Sequence, residues 1–141
     1  MTMITATKIF LTIPGKPIAK KRPRFSRVGT FVKTYNCQET EEGRFLWEVK
    51  SQWHGQPTEN PVILTCRFYM PIPKGTSKKK ILMMKNNEIQ HTKKPDLDNM
   101  IKFLKDCLNT VVWRDDSQVV RISAYKKYSD NPRTEMEIEE V

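Results

Sequence analysis

The sequence predicts an α+β fold: one domain with a small mixed β-sheet packed against two or three helices. Three observations carry this. The chain has 141 residues, enough to bury one hydrophobic core without disulfides or a structural metal. Several segments alternate apolar and polar residues with the period of a half-buried strand. Others repeat apolar residues at steps of three and four, the period of an amphipathic helix.

Ile9, Leu11 and Ile13 alternate with outward residues and form a first strand, ended by Pro14-Gly15. Residues 16–33 contain seven lysines and arginines and no acid. Pro17 and Pro23 hold the early part extended and Gly29 marks a turn, so this stretch is a basic loop or ribbon. From Gln38 to Trp53 the period becomes helical: Phe45, Leu46, Val49 and Trp53 share a face, Glu39, Glu41 and Glu42 suit the positive end of the dipole, and Gly55 is the expected stop. After Pro61 a strand turns Val62, Leu64, Cys66, Phe68 and Met70 one way and Ile63, Thr65, Arg67 and Tyr69 the other. A short helix is expected over Ser77–Asn86.

The strongest helical signal starts at Leu97. Leu97, Met100, Ile101, Leu104, Leu108 and Val111 form its buried stripe, and Asp96 or Asp98 suits its N-cap. Residues 111–113 read as short and extended, and 114–117 as a polar turn. Strands are expected over Val119–Tyr128 and Thr134–Val141, joined at Asp130-Asn131-Pro132 as a hairpin in which Lys126 or Lys127 faces Glu135, Glu137 or Glu139. Residues 1–6 resemble an expression-vector leader and are set apart from the domain at 7–141.

The net charge of +9 points to a polyanionic partner. Nothing is apolar enough to span a membrane, and no partner in a membrane is expected. Cys37, Cys66 and Cys107 are odd in number and widely spaced, without zinc-site spacing; they read as reduced thiols, with Cys66 and Cys107 in the core, which fits a cytoplasmic protein.

The chemistry concentrates in Lys93-Lys94-Pro95-Asp96-Leu97-Asp98-Asn99, then Lys102, then Asp115-Asp116. Asp96 and Asp98 are two apart at a helix start and can face one side. Asp98 and Lys102 are helical neighbours at i, i+4. Should residues 111–113 fold back along the helix, Asp115-Asp116 would approach its start. Singly, the first pair reads as a cap and the second as a solvated turn. Together, with lysines directly alongside, they suit phosphodiester hydrolysis: carboxylates hold Mg²⁺, and a lysine steadies the phosphate or the attacking water.

The block Asp96-Leu97-Asp98-Asn99 with Lys102, followed by Trp113-Arg114-Asp115-Asp116-Ser117-Gln118-Val119-Val120, resembles the signature of the RusA family of Holliday junction resolvases, most strongly over residues 93–128. The resemblance implies a RusA-like, homodimeric, Mg²⁺-dependent endonuclease, with Mn²⁺ as a possible substitute and no small-molecule cofactor. It implies resolution of four-way DNA junctions by paired symmetrical nicks, in a bacterial or phage-infected cell. Its essential acids match Asp96, Asp98 and Asp116, its essential lysine matches Lys102, and Asp115 matches a neighbouring acid counted among the metal candidates. The basic stretch 74–94 departs from the shortest members.

Lys20, Lys21, Arg22, Arg24 and Arg27 are expected to contact phosphates, and Lys93 and Lys94 to hold the strand beside the scissile bond. His91 is a weaker candidate for phosphate or metal. Trp47 and Trp53 suit a core or a dimer interface, and Phe25, Phe31 and Tyr35 interleave with the basic ribbon. A non-enzymatic nucleic-acid-binding protein accounts for the charge but not for the clustered acids. A nuclease for other branched or single-stranded DNA accounts for both.

Overall fold

The computed structural model describes residues 7–22, 24–35 and 37–141, with most of the 24–35 ribbon described as backbone alone; the proposed leader at 1–6 lies outside the described residues. The order is β1 (Lys8–Pro14), β2 (Arg24–Val28), β3 (Phe31–Tyr35), α1 (Glu39–Gln52), β4 (Val62–Pro71), α2 (Lys78–Lys85), α3 (Leu97–Leu108), a single 3-10 turn (Asp116–Gln118), β5 (Val119–Ser129) and β6 (Arg133–Glu140). The α+β class and the mixed sheet with three helices are as expected. The basic stretch 16–33 is in part a ribbon: β2 and β3 pair antiparallel across Gly29, whose φ of 61° suits a residue without a Cβ.

The main sheet runs β1-β6-β4-β5. β4 pairs antiparallel with β6 and parallel with β5, so the chain passes over the end of β4 between β5 and β6. The expected β5–β6 hairpin is therefore corrected. The alternation of β4 buries Val62, Leu64, Cys66, Phe68 and Met70 almost completely, and a strand with such a continuous apolar row sits between two neighbours, not at an edge. The acids of β6 meet β4 instead: Arg67 Nε and Nη2 donate to Glu135 and Glu137 at 3.1 and 2.9 Å.

α1 and α3 cover one face of this sheet, joined through an edge-to-face contact of Phe45 with Phe103 at 5.7 Å. α3 buries Met100, Phe103, Leu104, Cys107 and Leu108; Phe103 belongs to the stripe although the spacing reading passed over it. The helix stops at Leu108, with Asn109 as its C-cap, so Val111 lies beyond it. α1 likewise ends at Gln52, one residue short of the expected Trp53, which is already extended (φ −141°, ψ 129°). Cys66 and Cys107 are buried as expected, and burial pushes both thiols up to about 12.

Candidate active site

Asp96 occupies the N-cap of α3, yet its side chain makes no capping hydrogen bond, and the carboxylate is exposed. The expected cap is thus positional only, and Asp96 keeps its acceptors free. Asp98 lies in the first turn of the same helix, 73% exposed at its side chain, with Lys102 Nζ 4.0 Å from Oδ2. That spacing is a loose ion pair between solvated groups. The helix N-terminus adds positive partial charge beside both acids.

Lys126 fixes the segment that carries Asp96. Its Nζ donates to the carbonyl of Lys93 at 2.7 Å and to that of Pro95 at 3.0 Å. The side chain reaches there because Lys126 pairs with Phe68 on the helix-covered face of the sheet. The sequence reading had set Lys126 or Lys127 against the acids of the last strand; only the sheet order, with β4 between, removes Lys126 from them. The same segment is packed at His91, which is buried and tilts against the Tyr128 ring at 4.8 Å. Burial, with Lys126 and then Lys16, pushes the imidazole below its ordinary range.

Asp116 is built differently. Trp113 is fully buried and its indole N–H donates to Asp116 Oδ1 at 2.9 Å, which orients the carboxylate. Asp115 is committed elsewhere: it caps the 3-10 turn, accepting from the Ser117 backbone N–H at 2.9 Å and from the Ser117 hydroxyl, while Gln118 completes the capping box. The hydrogen bonds of Ser117 hold the Asp115 carboxyl below the usual range. Residues 111–113 do not fold back to the helix start. Trp113 bridges to Thr58 and Asn109, and Thr58 N–H donates to the Val112 carbonyl, which ties this turn to the chain entering β4. Among the described residues, no three His, Cys, Asp or Glu side chains stand together as a metal-binding group.

A cleft of about 770 Å³ opens beside Asp96, between the segment after β1, α1 and the start of α3. Its floor includes Ile13, Phe45, Phe68 and Phe103, and Lys16, Arg44 and Lys94 stand among its charged walls. Of the expected phosphate contacts, Lys20 is a structural tie: its Nζ lies 3.0 Å from Asp106 and 3.6 Å from Glu42, linking α3 to α1. Burial pulls its pKa down, but these acids outweigh that and leave it raised. Lys21 lies 3.7 Å from Glu41 at an exposed position. Arg22, Arg27, Lys93 and Lys94 are exposed, and the side chain of Arg24 lies outside the described residues. Buried Gln38, which sequence reasoning placed only at a helix start, clamps the basic segment: it donates to the Ala19 carbonyl at 2.8 Å and accepts from the Lys21 N–H at 2.7 Å. Trp47 is 68% exposed, Trp53 is half-buried, and His54 is exposed just past α1.

With this geometry in view, comparison with known proteins decides the family. The sequence profile of endodeoxyribonuclease RusA matches residues 14–139. The chain belongs to the RusA family. A Bacillus subtilis (strain 168) protein described as "Uncharacterized protein YqaN" is 36% identical over 137 residues, covering 94% of this chain and 96% of its own length. As a RusA-family endodeoxyribonuclease the chain is a hydrolase of DNA. The matched region contains Asp96, Asp98, Lys102 and Asp116, together with the basic segment after β1. None of the described helices is long and apolar enough to cross a membrane.

The residues suit Mg²⁺ in one respect that can be read from their bonding. The ion takes one or two carboxylates and fills its other positions with water and phosphate oxygen. Asp96 and Asp98 are exposed carboxylates free of capping duty, so two such positions exist at the start of α3.

Proposed function

We propose that this RusA-family endonuclease resolves four-way DNA junctions by paired, symmetrical nicks that depend on Mg²⁺, with Mn²⁺ as a substitute. The observation that carries the reading is Asp96: a carboxylate at a helix N-cap that declines the cap, at the edge of a cleft lined in part by Lys16, Arg44 and Lys94, two residues before Asp98 and six before Lys102. Bound Mg²⁺ would supply an activated water and neutralise charge on the reacting phosphate. Asp96 and Asp98 hold it, Asp116 completes the acid set, and Lys102 steadies a non-bridging phosphate oxygen. Lys93, Lys94, Arg22 and Arg27 bind backbone phosphates on either side, which positions the strand without reading its bases. Two-fold symmetry of a four-way junction calls for two sites, which a homodimer supplies.

The test is a labelled synthetic junction incubated with Mg²⁺ and with Mn²⁺, using wild type and Asp98→Asn. Wild type is expected to nick opposite strands at symmetrical positions, and the variant to bind without cutting. Binding without any cleavage by wild type would establish the non-enzymatic alternative. Cleavage of linear duplex or single strands as fast as junctions would keep the nuclease and remove the junction assignment.

A further inference from the structure

We propose that the cleft beside Asp96 takes an unstacked nucleobase from the point of strand exchange, next to the reacting phosphate, and that Arg44, Glu48 and Asn99 meet the edge of that base. The inference rests on the reading that Asp96 and Asp98 hold the reacting phosphate, and it assigns an occupant to the cavity alongside. The cleft holds about 770 Å³, within the roughly 300–1,000 Å³ of sites that take small organic groups. That is more than a metal ion and a phosphate fill, and it accommodates a base with its sugar. The floor is apolar and firmly set: Phe45, Phe68 and Phe103 are each at most 4% exposed, and Phe45 and Phe103 lock α1 to α3. Ile18 and Pro95 also line the cleft and are only half-buried, which leaves apolar surface open to an aromatic ring.

The charges on the walls select among polar occupants. Lys16, Arg44 and Lys94 stand there together with Glu41, Glu48 and Asp96. Three carboxylates oppose a free anion, whereas a neutral ring that carries donors and acceptors on its edge suits walls of both signs. Arg44 and Glu48 are four residues apart on α1 and share one face. Asn99 is half-buried in the first turn of α3. Among the described residues, no ion pair or side-chain hydrogen bond engages any of these three. Arg44 only donates, the ionised Glu48 only accepts, and Asn99 does both, which is the set that a base edge requires. Asp96 lines the cleft and stands at the N-cap of α3, so the cavity adjoins the phosphate site. Only the sugar separates a base from its phosphate. Taking a base out of the stack costs least where stacking or pairing is already interrupted. The centre of a four-way junction is such a place, so filling this cleft favours branched DNA over linear duplex.

The test places 2-aminopurine in turn at each nucleotide flanking the point of strand exchange. Asp98→Asn with Mg²⁺ keeps the strands intact. At one position the bound probe is expected to be severalfold brighter than in the free junction, and about threefold less quenched by acrylamide than in a single strand. A probe that stays dim at every position, or is bright but quenched as readily as a single strand, would overturn the proposal. Location is read separately, by photo-crosslinking 4-thiothymidine at the same position. Crosslinks are expected to α1, to residues 13–21 or to residues 94–100, and crosslinks confined to other segments would overturn it. The Arg44→Ala, Glu48→Ala double variant changes α1 outside its buried face and is expected to keep its circular dichroism while losing most of the shielding from acrylamide. Full shielding in that variant would remove the edge contacts. Wild type that cuts no DNA while the probe is bright and shielded would fault the proposed function and leave the base site standing. Symmetrical nicking beside a dim probe would do the reverse.

Discussion

At the residue scale, the site depends on what each aspartate is relieved of or committed to. Asp96 stands at a cap without capping, Asp115 caps fully, and Asp116 is aimed by Trp113. Sequence makes the residue types legible, since the paired acids, the lysine one turn on and their spacing are all local. It does not separate Asp115 from Asp116, because adjacent acids differ only in which neighbours their oxygens meet. Asp115 is therefore expected to matter less: Asp115→Asn should keep cleavage within about threefold of wild type, whereas Asp116→Asn should lower it by on the order of a hundredfold or more, measured as single-turnover rates at saturating enzyme. Trp113→Phe removes the indole donor while keeping a large apolar ring; its cleavage rate should fall by about tenfold with junction affinity preserved. An unchanged rate would show that Asp116 needs no such orientation.

At the element scale, α3 and β4 were the most legible parts because their periods are long and unbroken, and each buries one face. The end of α3 was overrun to Val111 because the apolar rhythm continues past Leu108, while the chain itself turns away to meet Thr58. The β5–β6 pairing was misread because a short turn and opposite charges are the mark of a hairpin, and nothing local announces that β4 lies between. That rearrangement gives Lys126 its work. Lys126→Met is expected to speed hydrogen exchange in residues 92–98 and to lower cleavage by about tenfold or more, since small misplacements of reacting groups are costly. Wild-type exchange in that segment would remove the role. The charge ladder of β4 and β6 makes a separate prediction. Burial pushes the Glu135 carboxyl up, but Arg133 and Arg67 outweigh it and leave the pKa lowered. A lowered folded pKa means stability present above the unfolded value, near 4.3, and lost as pH falls through the folded one. Urea denaturation should find Glu135→Gln less stable than wild type at pH 7, with the difference shrinking as pH drops below about 4.

At the scale of the whole molecule, the net charge of +9 and the cleft beside Asp96 suit a nucleic-acid partner, and both the class of fold and the family were within reach of the sequence. Which cations are free was not, because Lys20 differs from Arg27 only through acids brought in from α1 and α3. Arg27→Ala should weaken junction binding and flatten its salt dependence by about one unit of slope, while Lys20→Ala should act mainly on stability. The separation of Asp96 from Asp116 also passes beyond local sequence, because Lys126 holds the first beside the end of β4 and Gln118 ties the second to Thr58, just before that strand begins. The most direct measurement of the central claim is cleavage by wild type of an end-labelled four-way junction and of a linear duplex of the same sequence, each with and without Mg²⁺. The account predicts symmetrical nicks in the junction alone, only when Mg²⁺ is present; cleavage that persists in excess chelator, or none from either substrate with Mg²⁺ or Mn²⁺, would contradict it.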